Sequence, residues 1–292
     1  MPQDIEQILK AEGIVEFEED IRRLNREELA VHFASARSGR IILTPLLKSI
    51  IWSAFRRFQS GRDTPLPGNI RTFWYRWCKV VLSHIPDDDN VKTDPYETML
   101  KAFSRMVLDL KLFQYADFDF TDDNWENRLI GTERPGILVF AEKTGWFRFL
   151  RKVHEKWGVS ILALGGAPSA LTSEYTYRDI LAAMGDNIRP IQMIGLVDFD
   201  PSGKIIAEAF KNQSQQVGMD VGSMELVIHP KHYTAEELAM FRYPLPRRQK
   251  TKLRQWLDEV GGIDGEAYGL EIESMPLERL TGLVDELVER CV

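Results

Sequence analysis

Four short apolar runs, Ile137–Ala141, Ser160–Leu164, Ile191–Val197 and Met224–Ile228, are each separated by enough chain for a helix. No other feature of the sequence constrains the fold as strongly. Runs of this length without polar alternation read as strands buried on both faces. Helices between them imply βαβ units, and therefore a mainly parallel sheet covered on both sides. The expected class is α/β over residues 132–292, with a helical extension at the C-terminal end. The change of character comes at Gly131-Thr132-Glu133-Arg134-Pro135-Gly136, which places a domain boundary near residue 131.

The chain before that boundary is patterned differently. Residues 1–38 are acidic, helix-forming and weakly amphipathic, and read as an N-terminal helical arm over 1–39 or an interaction segment. From Ile41 to Phe58 apolar residues recur at helical spacing and stop at Gln59-Ser60-Gly61. A turn rich in proline follows (Thr64-Pro65-Leu66-Pro67-Gly68), and Asn69 stands where it can cap the next helix. That helix, Ile70 to about Ile85, ends at Pro86 and Asp87-Asp88-Asp89. Another runs from about Pro95 to Leu110. The alternation in Leu112-Phe113-Gln114-Tyr115 and Phe118-Asp119-Phe120 then predicts a small hairpin. Helices followed by a hairpin are the pattern of a winged-helix DNA-binding domain, here over 40–131.

Bulk properties narrow the function classes. No apolar run approaches the roughly 18–20 residues of a membrane helix. The acidic start, MPQDIEQILKAEG, gives no expectation of a secretory leader. Two cysteines, Cys78 and Cys291, suit neither a metal cluster nor a disulfide framework and fit a reducing compartment. The expected location is the cytoplasm, at the nucleoid, or the nucleus in a eukaryote. A net charge of −7 argues mildly against a DNA ligand. Positive charge is nonetheless clustered at Arg56, Arg57 and Arg62, at Arg71, Arg76 and Lys79, and at Arg247, Arg248, Lys250, Lys252 and Arg254. Each cluster reads equally well as a phosphate contact or as a solvated helix face.

In open α/β sheets, ligands bind at the carboxyl ends of the strands. The first apolar run delivers Glu142 to that edge and the third delivers Asp198 and Asp200. Carboxylates converging there are costly unless a cation neutralises them. Hard oxygen donors of this kind suit Mg²⁺, with Mn²⁺ as a possible substitute. The same acids would also serve simply as caps of the following helices, Asp200 in particular. His32, His84, His154, His229 and His232 have no metal-ligand spacing. Gly165-Gly166 lacks the lysine and hydroxyl of a P-loop, so no ATPase is expected in this chain.

Asp198-Phe199-Asp200-Pro201-Ser202-Gly203, behind the apolar Ile194-Gly195-Leu196-Val197, resembles the Asp-x-Asp-Pro-x-Gly signature of the Toprim domain. More narrowly it looks like the version in the topoisomerase VI A subunit and the meiotic double-strand-break protein related to it. Three further segments resemble that family in the same order: Glu142-Lys143 with Gly145 and Phe147, Gly165-Gly166-Ala167-Pro168, and Gly269-Leu270-Glu271-Ile272-Glu273-Ser274-Met275. The resemblance spans roughly 40–292 and is densest from 137 onward.

Tyr75 lies in Ile70-Arg71-Thr72-Phe73-Trp74-Tyr75-Arg76-Trp77-Cys78-Lys79. At helical spacing Ile70, Phe73, Trp74, Trp77 and Val81 form the core stripe and Tyr75 points away from it. Arg71 and Lys79 are its i±4 neighbours, placed to favour a phenolate and meet a phosphate. Without further context the residue reads as an exposed aromatic on an aromatic-rich helix. Arg71-x-x-Trp74-Tyr75 resembles the family motif whose last tyrosine is the DNA-cleaving nucleophile. Thr72 stands in place of the usual acid, and Trp74 in the aromatic place.

The resemblance implies a metal-dependent double-strand DNA cleavage subunit, a topoisomerase or isomerase-like enzyme that forms a 5′-phosphotyrosyl link. It implies Tyr75 as nucleophile and Arg71 as its phosphate-contacting neighbour. Glu142, Asp198 and Asp200 become the metal ligands, with Glu142 also a candidate acid or base. Arg56, Arg57, Arg71, Arg76 and Lys79 become DNA contacts along a homodimer channel. A resealing activity would need a separate ATPase or SMC-like partner chain. Two alternatives remain: a Toprim nuclease that uses activated water with Tyr75 only structural, and a non-catalytic subunit that binds DNA or a partner.

Overall fold

The computed structural model describes residues 5–65, 68–86, 94–246 and 250–291. Leu66 and Pro67 of the proline-rich turn, the Asp87-Asp88-Asp89 run, and Arg247 and Arg248 lie outside the described residues, as does the side chain of Lys250. The chain forms two compact units, divided between Asp122 and Asp123. Among the described residues no helix is long and apolar enough to cross a membrane.

The first unit is helical. It contains α1 (Ile5–Ala11), α2 (Arg26–Phe33), α3 (Leu43–Gln59), α4 (Ile70–Phe73), α5 (Lys79–Leu82) and α6 (Pro95–Ser104). Asn25 and Glu28 close a capping box at the start of α2, which satisfies N–H groups the helix cannot pair itself. Leu46, Leu47, Ile50, Ile51 and Ala54, at three- and four-residue spacing on α3, are fully buried. Leu9, Ile21, Leu29 and Phe33 of the first segment are buried as well. Glu12 fixes that segment to α3 through Lys48 at 2.5 Å and to the end of α6 through Arg105 at 2.5 Å.

Asn69 caps α4 as expected, accepting a hydrogen bond from the Thr72 N–H. The helix over 70–82 is not continuous α-helix: Trp74–Cys78 form a π-helical turn between α4 and α5. A second π turn, Arg105–Asp109, extends α6. The expected hairpin is absent among the described residues. Tyr115–Phe118 instead form a 3₁₀ turn that ends at Asp119 in the left-handed conformation, φ 55°. Phe113, Tyr115, Phe118 and Phe120 all turn inward, around Phe103 and with Phe118 also against Phe55, with ring centroids 4.8 to 6.4 Å apart. Their alternation in sequence reflects this aromatic cluster, not a strand with a wet face.

The second unit is mixed α/β around a five-stranded sheet, β1 (Arg128–Leu129), β2 (Arg134–Ala141), β3 (Val159–Ala163), β4 (Ile191–Leu196) and β5 (Val221–Leu226). The spatial order is β1-β3-β2-β4-β5, with β1 antiparallel at one edge and the other pairs parallel. The helices are α7 (Phe147–Trp157), α8 (Ala170–Met184), α9 (Pro201–Gln216), α10 (Ala235–Phe241), α11 (Lys250–Val260) and α12 (Leu277–Arg290). A two-residue pair, β6 (Tyr243–Pro244) and β7 (Tyr268–Gly269), stands apart from the sheet. Successive strand residues feed opposite faces. Ile137, Val139, Ile194 and Leu196 pack with Leu150 and Val153 of α7 and Leu280 and Val284 of α12. Leu138, Phe140 and Met193 pack with Ile180 of α8 and Phe210 of α9.

Candidate functional site

After β2 the chain crosses to β3 on one side, and it then returns to β4 on the other. The order of strands therefore reverses between β2 and β4. The crevice outside their carboxyl ends is where open parallel sheets bind ligands. Glu142 directly follows β2, and Asp198 and Asp200 follow β4, whose last residue Leu196 pairs with Ala141. The sequence acids thus occupy the switch point.

The backbone fixes each of them. The Glu142 N–H donates to the Leu196 carbonyl at 3.2 Å, and its own carbonyl accepts from the Gly166 N–H at 3.0 Å. Gly165 and Gly166 have φ of 69° and 117°, a region that favours glycine and lets the loop fold back onto Glu142. Phe199 exchanges two backbone hydrogen bonds with Leu270, at 2.8 and 3.1 Å, which carries the segment Glu271–Ser274 up to the acids. Asp198 then accepts from the Ile272 N–H at 2.9 Å. Asp200 caps α9, accepting from the Gly203 N–H at 2.7 Å, with Pro201 at the first helical position. A Cβ at Gly203 would lie 2.2 Å from the Asp198 carbonyl oxygen, so the close turn requires glycine.

Three further side chains complete the cluster. Lys143 bridges Asp198 at 3.1 Å and Glu273 at 3.2 Å. The Tyr243 hydroxyl donates to Asp200 at 2.8 Å. The Trp146 side chain lies near Glu273 and helps hold its carboxyl below the ordinary range. Lys143 and Glu273 lie inside quoted motifs, but their pairing joins residues 130 positions apart and has no local signal. Tyr243 has no motif at all; only the fold reveals it.

The electrostatics follow from this packing. Burial, and then the negative charge of Asp198, push the Glu142 carboxyl above its ordinary range, and Lys143 only partly opposes them. Burial works against the Lys143 ammonium, yet its bonds to Asp198 and Glu273 prevail and raise its pKa. Burial and the hydrogen bond to Asp200 push the Tyr243 phenol well above its usual value. Tyr243 therefore keeps its hydroxyl hydrogen and donates it in the hydrogen bond to Asp200.

Magnesium is the cofactor that the sequence leads one to expect. The donors are carboxylate oxygens, the right chemistry for a hard cation. Each oxygen of Asp198 and Asp200 has one protein partner, which leaves each a further lone pair. The Glu142 carboxylate accepts no hydrogen bond from the described residues and sits half-buried among like charges. That negative charge, only partly compensated by Lys143, fits a cation. The three acids do not, however, converge as a closed ligand set. Among the described residues no group of three His, Cys, Asp or Glu side chains is arranged to hold an ion alone. Lys143 supplies part of the neutralising charge, and one oxygen of Asp200 is committed to the start of α9. Waters or substrate phosphate would have to complete the coordination.

In the helical unit, Tyr75 is 55% exposed on the π turn. The Lys79 ammonium stands 5.3 Å from its ring centre. Arg71 does not join it: its guanidinium lies over Tyr96, 5.3 Å from that ring centre. Of the expected phosphate contacts, Arg71, Arg76 and Lys79 are exposed. Arg56 pairs with Glu16 at 3.0 Å on the surface. Arg57 is internal, held by Asp63 at 2.6 Å in a network with Asp20 and Arg22, so its charge is already spent within the fold. Compared with protein-family models and with curated proteins, the chain matches none.

Proposed function

We propose that this chain cleaves DNA at a magnesium site held by Glu142, Asp198 and Asp200, with Tyr75 as the nucleophile. The observation that carries the reading is the half-buried, unpartnered Glu142 beside two aspartates at the topological switch point of a parallel sheet. In this reading residues 123–292 are a Toprim-type domain. The helical unit takes the part of a winged-helix domain whose wing is absent among the described residues.

Tyr75 Oη would attack a backbone phosphorus, forming a phosphotyrosyl ester as the bond to the 3′ oxygen breaks, and the leaving oxygen would take up a proton. Glu142, whose carboxyl retains its proton more readily than an ordinary glutamate, would supply it if it serves as the acid instead of as a ligand of the ion. Lys79, whose ammonium stands 5.3 Å from the Tyr75 ring centre, would meet the phosphate under attack. A bound magnesium ion would supply Lewis-acid stabilisation of the phosphate charge. Asp198 would be oriented for it by Lys143 and the Ile272 N–H, and Asp200 by Tyr243. One tyrosine and one acid cluster per chain make a homodimer the unit that cuts both strands. Resealing would call for a separate ATPase or SMC-like chain.

A second reading has its own support. Arg71 faces Tyr96, which leaves Tyr75 with a single cation, and this favours cleavage by activated water with Tyr75 only structural. Incubating supercoiled plasmid with Mg²⁺ or Mn²⁺, quenching with detergent and comparing samples with and without protease separates the two. Linear DNA freed only by protease, and lost in Tyr75→Phe and Asp198→Ala, is the expected result. Protein-free breaks that survive Tyr75→Phe but not Asp198→Ala would establish the water route. No cleavage, and no rise of melting temperature with Mg²⁺ in the wild type, would sink both.

A further inference from the structure

The helix that follows Glu142-Lys143 is strongly basic in a chain of net charge −7. Within Phe147–Trp157, α7 carries Arg148, Arg151, Lys152 and Lys156 against one acid, Glu155. Arg148, Lys152 and Lys156 recur every fourth residue, so their charges rise along one side of the helix about 6 Å apart. All three line a groove of about 440 Å³ between α7 and α12, together with Trp146 and Phe149.

The groove is built, not incidental. Lys156 binds Asp285 of α12 at 2.7 Å, and the Trp157 indole N–H donates to the same carboxylate at 2.6 Å. These bonds seat the two helices and define the far wall. Arg148 and Lys152 are exposed, and among the described residues neither has an ion-pair partner. The floor is aromatic. Trp146 and Phe149 are half-buried, edge to face with centroids 5.8 Å apart. Trp146 also lies near Glu273, whose carboxylate binds Lys143 of the acid cluster.

Two unpaired cations, Arg148 and Lys152, in line beside half-buried aromatic rings offer the chemistry that holds single-stranded nucleic acid: charges follow the phosphates and rings stack the bases. An acidic peptide would use the cations but gain nothing from the tryptophan face. We infer that the groove between α7 and α12 binds a single strand of DNA and leads it to the Glu142–Asp198 crevice. Arg148 and Lys152 contact phosphates and Trp146 stacks a base. The inference rests on the proposed reading of the crevice as a DNA-processing site.

The test is binding of a fluorescein-labelled fifteen-residue oligothymidylate to the full chain by anisotropy, in EDTA so that no cleavage intervenes. Arg148→Ala/Lys152→Ala should weaken binding about tenfold or more and flatten the dependence of log Kd on log salt by about 1.4, two phosphate contacts on a single strand. Trp146→Leu should weaken it roughly 5- to 100-fold, while Trp146→Phe, which keeps a stacking face, should retain most of it. Unchanged melting temperatures confirm that these surface variants fold. An unaltered Kd and salt slope in the double variant overturns the inference, as does equal displacement of the strand by polyglutamate or no binding by the wild type at low salt. Cleavage in Mg²⁺ is scored separately. Strand binding that depends on the groove with no cleavage at all would sink the proposed function alone. Cleavage that persists with binding indifferent to the groove would sink the inference alone.

Discussion

Burial and the charge of Asp198 both oppose ionisation of Glu142, and this gives the residue a defined pH signature. Its carboxyl holds a proton more tightly in the folded chain than in the unfolded one. The stability it contributes is therefore complete below the ordinary value of 4.5 and is lost as pH rises through the raised folded value. Above that point the ionised group opposes folding. Glu142→Gln should accordingly raise the urea midpoint at pH 7, with the gain shrinking towards pH 4, while abolishing cleavage. A lower midpoint at pH 7 would show that the carboxylate is compensated in the folded protein. This residue was legible in the sequence because an apolar run ends in it. Its lack of a hydrogen-bonding partner was not, since that depends on Lys143 turning to Asp198 and Glu273 instead.

Elements divide in the same way. Three strands, β2, β3 and β4, were legible to within a few residues, because a strand covered on both faces must be apolar throughout; the fourth, β5, is an edge strand with no buried residue and begins three residues before the expected run. The helices of the first unit were legible as helices, but not their π turns: an inserted residue at Trp74–Cys78 leaves the apolar pattern reading as an ordinary helix. The hairpin failed because alternating aromatics satisfy two structures, and the cluster around Phe103 won. At the start of α9, Asp200 serves two masters, the helix cap and the acid cluster. Asp200→Ala should cost about 0.5–2 kcal/mol of stability as well as activity. Asp200→Asn, which can still accept from the Gly203 N–H, should lose activity with a smaller change in the denaturation midpoint. Equal destabilisation by both would mean that the charge, not the cap, holds the turn.

For the whole molecule, the half-buried Glu12 is one of the ties between the first segment and α3. The hydrogen bond from Arg105, with Lys48, holds Glu12 at about 2 against the opposition of burial. A lowered acid stabilises above its ordinary value and loses that contribution as pH falls through the folded one, here a window from about 4.5 down to about 2. Because Lys48 is buried with it, Glu12→Gln leaves an uncompensated cation and should cost about 3–5 kcal/mol. Hydrogen exchange in α3 should rise first, with β2 and β4 still protected. Equal loss of protection in both would mean that the two units unfold as one.

The π turn that exposes Tyr75 also buries Cys78, three residues on, and burial pushes that thiol far above its usual range. A thiol so placed is inert towards alkylating reagents while the turn is closed, whereas Cys291 is only partly covered. The labelling rate at Cys78 is thus a clock for the opening of the segment that carries the tyrosine. It needs no substitution and no added probe.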